Sequence, residues 1–156
     1  MAKDWKVSSE AKDIVDELSR KFISTLSGVN PEEVSCIIAM DGSAPNKGET
    51  LAAIRKVNDK TKIATGTSFN FIIEIYADNW FDLSEIQKQW VILHELLHID
   101  PNSEDIKLRK HDVEDFAAIL RNYGVDYIDS DLPDLLDDEK GESDYKIDVT
   151  AFKSDD

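Results

Sequence analysis

Residues 90–99 read Trp-Val-Ile-Leu-His-Glu-Leu-Leu-His-Ile, so that His94, Glu95 and His98 stand inside an otherwise unbroken apolar run. A helix turns about 100° and rises about 1.5 Å per residue, which brings the two imidazoles onto one face about 6 Å apart along the axis, with Glu95 about 100° round from the first. A chance match in an ordinary core helix, with polar residues outward, is the plain alternative. Against it stands the setting: Val91, Ile92, Leu93, Leu96, Leu97 and Ile99 surround these polar groups, and buried polar groups without partners are costly. The flanks bound the helix. Asp82, Leu83 and Ser84 open it, Ser84 and Gln87 have capping-box spacing, and Pro101 and Asn102 stop it.

Two histidines and a glutamate in H-E-x-x-H order suit a divalent metal, zinc first. A catalytic zinc takes three protein ligands and leaves its fourth position to a water whose pKa it lowers towards neutrality. His94 and His98 supply two ligands, and the carboxylate of Glu95 is placed to reach that water as general base and later to protonate a leaving amine. The third ligand has to come from beyond this turn, and His111 is the only histidine left. Asp112 can cap a new helix through Val113, Phe116, Ile119, Leu120 and Tyr123 to Gly124, which sets His111 at its mouth. Glu114 or Asp115 from that helix would serve in a gluzincin-like arrangement, and Asp112 as a fourth ligand would close a purely structural site. A metzincin is excluded, because the positions that need Gly and His hold Pro101 and Glu104.

Outward from the motif, Phe69 to Ala77 alternates as a strand, with Phe71, Ile73 and Ile75 on one side and Ile72, Glu74 and Tyr76 on the other. Val34 to Met40 reads as a second strand, with a loop over Asp41 to Lys47; the apolar spacing of Leu51 to Val57 suits helix or strand, and its turn-like flanks favour a third strand. Ala11, Ile14, Val15, Leu18, Phe22 and Leu26 mark an amphipathic helix over Ser9 to Leu26 that Gly28 and Pro31 end. The expected order is therefore helix, three strands, motif helix, closing helix: an α+β domain over residues 1–125 and an acidic extension over residues 126–156.

That extension carries 12 acidic and 3 basic residues, a balance of −9 within a formal charge of −15 for the 156-residue chain. Such acidity disfavours direct binding to nucleic acid, which needs clustered Lys and Arg. A solvated, partly disordered run is the plain reading. Leu132, Leu135 and Leu136, and the weak alternation from Tyr145 to Phe152, are consistent with docking on the body or with a motif for a partner, for example a host protein. No apolar run reaches membrane-span length and Met1 to Ser9 lacks the core of a secretory signal, so a cytoplasmic protein is expected. The lone Cys36, beside Ile37 and Ile38, reads as a buried structural thiol.

FIIEIY at 71–76, WVILHELLHI at 90–99 and HDVEDF at 111–116, followed by Tyr123 and Gly124, resemble the phage metallopeptidase family. Their order is also similar to that of SprT-like zinc peptidases, over roughly Ser9 to Gly124. The resemblance implies a minimal zincin fold, zinc held by His94, His98 and His111, and a catalytic Glu95, acting in a host cytoplasm. A chain with one Cys cannot build the Cys-rich zinc ribbon that often follows SprT-like domains, so DNA-associated proteolysis is not carried over.

The leading expectation is a zinc peptidase acting on an extended peptide or protein substrate, paired with the edge of the Phe69 to Ala77 strand, with Tyr76, Tyr123 and Tyr127 as candidates for oxyanion stabilisation. The contrasting expectation is a non-enzymatic acidic binder on a zincin-like scaffold, occupying a basic site on a host protein or imitating nucleic acid.

Overall fold

Ser84 starts the motif helix as its spacing predicts: its Oγ accepts from the Gln87 amide at 3.1 Å and its own amide donates to the Gln87 side chain at 2.8 Å. The computed structural model describes residues 4–40, 52–101, 108, 110–111, 132–145, 147 and 152–153. In chain order their regular elements are β1 (Trp5–Val7), α1 (Ser9–Lys21), β2 (Val34–Ala39), β3 (Ala52–Lys56), α2 (Asp59–Thr65), β4 (Phe71–Tyr76), α3 (Ala77–Trp80), α4 (Glu85–Leu97), β5 (Lys110–His111) and β6 (Phe152–Lys153). The class is α+β, as expected.

The main sheet has the order β1-β2-β4-β3, one strand more than the sequence pattern predicts. β1 shows no alternation because all three of its residues are exposed, so only its pairing with β2 reveals it. β2 and β4 run parallel in register, Val34 with Phe71, Cys36 with Ile73 and Ile38 with Ile75, and these six side chains form the buried face. β3 joins β4 antiparallel. β4 therefore lies between two strands, which corrects the expectation that its edge is open to a substrate; apolar residues on both of its faces mark an interior strand. Among the described residues, β3 pairs only with β4.

Ala11, Ile14, Val15 and Leu18 of α1 and Trp90, Leu93, Leu96 and Leu97 of α4 join the sheet's buried face in one core. Cys36 belongs to it, and burial pushes its thiol up to about 12, as suits an inert structural residue. α1 is capped by Ser8 and ends at Lys21, earlier than its periodicity suggests, although Phe22 and Leu26 are buried all the same. The amides of Ser24 and Thr25 donate instead to the Glu142 carboxylate at 3.0–3.2 Å, an acceptor far along the chain. α2 is unforeseen because none of its residues is buried and it carries no apolar stripe; Asn58 caps it and Gly66, at φ 69°, ends it in the left-handed region.

The described part of the acidic extension packs on the body. Leu132, Leu135 and Tyr145 are buried in the same core, with the Tyr145 ring tilted on Phe22 at 5.3 Å. Of the weak strand pattern from Tyr145 to Phe152, only Phe152 lies in a strand among the described residues, in β6 against β5. The predicted loop over 41–47 and the predicted helix beyond Asp112 fall outside the described residues. Among the described residues, no helix is long and apolar enough to cross a membrane.

Candidate metal centre

α4 is held before it delivers the motif. Lys88, buried along its length, donates to Glu10 at 2.9 Å, and Glu10 also accepts from the Trp80 indole at 2.8 Å while the ammonium lies 5.2 Å from the centre of the Trp80 ring. Burial raises the Glu10 carboxyl, but the hydrogen bonds from Trp80 and Lys88 and the charge of Lys88 together hold it below its usual value. These contacts tie the first turns of α4 to the first turn of α1.

At the other end, His94 occupies the last full turn and His98 is the C-cap, with φ −70° and ψ −18°. The His98 amide donates to the Glu95 carbonyl at 3.1 Å, which tightens the final turn and keeps His98 in near-helical register with His94. Their rings meet edge to face at 77°, with centroids 5.1 Å apart. Each of His94, Glu95 and His98 offers one ligand-capable atom within 4.8 Å of the others. The histidines are half-buried and Glu95 is buried. Its Oε2 lies 3.8 Å from His94 Nε2, an ion pair only when that ring is protonated. Burial alone pushes Glu95 up to about 8.

A divalent cation fits this donor set. Two convergent imidazoles and a carboxylate are the nitrogen and oxygen chemistry that zinc accepts, and no described charge offsets the burial of Glu95. Of the other predicted residues, His111 has an extended backbone in β5, paired with Phe152, and its side chain is outside the description. Asp112, Glu114, Asp115, Tyr123 and Tyr127 lie outside the described residues. Tyr76 closes β4 and is buried; burial and then the Glu74 carboxylate push its phenol up, and Glu95 adds in the same direction, so the two are within electrostatic reach.

A family model described as "Putative phage metallopeptidase" matches residues 3–139. The chain belongs to this phage metallopeptidase family. Membership supports a peptidase at the level of class and implies a metal ion, which the His94, Glu95 and His98 group is able to hold. The matched span takes in the sheet, the motif helix and the first part of the docked acidic segment. Neither a curated protein nor a solved structure matches the chain significantly.

Periodicity and motif matching pass over two residues that place the site. Gln89 interrupts the apolar face of α4, and it clamps the docked segment from both ends of its amide: Oε1 accepts from the Leu135 amide at 2.8 Å and Nε2 donates to Asp134 at 2.9 Å. Its apolar neighbours on the helix face, Ile86, Ile92 and Leu93, are the only local signal. Gly28 is the second. A Cβ built there would stand 2.5 Å from the Pro101 Cα, so the turn after α1 touches the backbone just past His98. Gly28→Ala is expected to displace that exit segment, lowering stability by about 1–3 kcal/mol, as overpacking does. Chemical denaturation measures the loss, and an unchanged midpoint would show that the exit segment yields freely.

Proposed function

We propose that this chain is a zinc-dependent peptidase in which His94, His98 and His111 hold the metal and Glu95 is the general base. The observation that carries the reading is the convergence of His94, Glu95 and His98 donor atoms within 4.8 Å at the end of a capped, anchored helix. A second observation supports His111. Ile99, next to His98, forms an antiparallel bridge with Leu108, so the chain returns alongside the helix exit only three residues before His111. Three extended residues span about 10 Å at most, which keeps His111 near the pair.

Bound zinc would supply a Lewis acid for the scissile carbonyl and a lower pKa for water. The remaining work falls to the chain. His94 and His98 orient the site through the rigid last turn of α4. The Glu95 carboxylate accepts the proton of the attacking water and returns it to the leaving amine. Its buried setting keeps bulk water from competing for that carboxylate. An extended peptide would pair at β3, which ends the sheet among the described residues, in the role expected of β4.

The test is metal uptake. Wild type, purified metal-free, is expected to bind one zinc per chain, and His94→Ala, His98→Ala and His111→Ala are each expected to weaken binding at least about tenfold, because each removes one of three protein ligands. Competition with a chromophoric chelator reads the affinities. Wild type that takes up no zinc overturns the reading, and loss confined to His94 and His98 removes His111 from the ligand set.

A further inference from the structure

The docked acidic segment reaches both ends of the framework that positions the motif helix. On α4, the Trp90 indole donates to the Pro133 carbonyl at 2.9 Å, next to the Gln89 clamp on Asp134 and Leu135. On α1 and the turn after it, Lys21 donates to the Asp137 carbonyl at 2.8 Å, and the Glu142 carboxylate takes the Ser24 and Thr25 amides. That turn ends at Gly28, which touches Pro101, three residues past His98. The segment thus grips α4 upstream of His94 and, through the Ser24 to Gly28 turn, backs the chain where it leaves His98.

Several of its acids accept hydrogen bonds that shape it, even where they are exposed, as Asp134 and Asp144 are. Asp134 accepts from Leu136 and Gln89, Asp137 from the Glu139 amide, and Asp144 from the Gly141 amide. The Tyr145 hydroxyl donates to the Asp134 carbonyl, pinning the end of the segment to its start. Leu135 is fully buried beneath.

We infer that residues 132–145 form a strap whose docking, through Gln89 as a positioning residue, sets the affinity of the motif helix for its metal. The inference rests on the metal reading above. A strap that fixes α4 against α1 pre-organises the two imidazoles, so part of the ordering that binding requires is already complete, and docking and metal occupancy favour each other. The link runs through contiguous packed contacts, and a double-mutant cycle is the measure of such coupling.

Gln89→Glu sets a carboxylate against Asp134 while still accepting from Leu135. Asp134→Asn removes the opposing charge and keeps one oxygen at the Oδ1 position, where the Leu136 amide and the residue-89 side chain meet. Two readouts are taken on the full chain: hydrogen exchange of the Leu135 amide, for docking, and Zn2+ affinity by chelator competition. Gln89→Glu is expected to expose the amide and weaken Zn2+ about tenfold, within the range of ordinary site coupling. The Gln89→Glu/Asp134→Asn double variant is expected to recover affinity to within about twofold of wild type. Loss of Leu135 protection with Zn2+ affinity unchanged overturns the coupling. Should Gln89→Glu fail to fold, Glu142→Gln, which alters only the grip on the Ser24 and Thr25 turn, decides on the same readouts. A wild type that protects Leu135 but takes up no Zn2+ sinks the metal reading, and the coupling with it, while leaving the strap itself in place.

Discussion

Glu95→Gln is expected to abolish peptide cleavage while zinc stays bound. General-base assistance contributes about 10²- to 10⁴-fold, and the amide cannot accept the proton, so the loss should fall in that range or beyond it. Cleavage of a peptide library followed by mass spectrometry reads the activity, and chelator competition reads the metal. The second measurement carries its own decision. Glu95 stands within 4.8 Å of both histidine donors, so it has the position of a ligand as well as that of a base. A base leaves zinc affinity near the wild-type value when replaced, whereas a ligand takes about tenfold or more with it. Zinc lost together with activity would reassign Glu95 to the metal. The same substitution is expected to raise the melting temperature of the metal-free protein. A buried carboxylate with no described counter-charge has a desolvation cost that its neutral isostere avoids. Opposite signs for stability and activity would identify a group kept for its chemistry.

The motif helix was legible because its signals are local. Ser84, Gln87 and Pro101 bound it within a few residues, and the histidine spacing fixes one face whatever packs against it. The same holds for the alternation of β4, since side-chain direction in a strand depends only on position. Strand order is another matter. Period-two patterning assigns faces and not neighbours, so the interior place of β4 and the outer place of β3 emerge only with the register. The end of α1 was hidden for a related reason: the acceptor for the Ser24 and Thr25 amides is Glu142, and an intrachain partner at that separation leaves no local trace. Lys88 and Gln89 sit in a polar run at the start of the helix that looks like a solvated turn, and nothing local names their partners Glu10 and Asp134. Charge was the least readable property. An acidic run looks like a solvated tail until its carboxylates are found closing turns.

Truncation after Asp131 is expected to unfold the chain, not merely to shorten it. Leu132, Leu135 and Tyr145 are buried in the main core, and burying each such side chain contributes about 1.5–3 kcal/mol. Their joint loss rivals the roughly 5–15 kcal/mol that separates a native domain from its unfolded ensemble, before the hydrogen bonds of Gln89, Trp90 and Lys21 to the segment are considered. Circular dichroism through a thermal or urea ramp should show no cooperative transition in residues 1–131. This result bears on the contrasting reading, an acidic binder that acts through its tail. For such a protein, truncation ought to yield a folded body that has lost only its partner. A cooperative transition of near wild-type amplitude in the truncated chain would therefore remove the strap from the fold and restore the tail to that reading. Point variants on the segment's exposed acids separate the two ideas further. Asp138 and Glu139 are exposed, so Asp138→Asn and Glu139→Gln should leave the melting temperature almost unchanged, as surface substitutions do. A salt-sensitive complex with a basic host protein would lose affinity in those variants, whereas a segment whose work is to hold α4 against α1 would lose nothing.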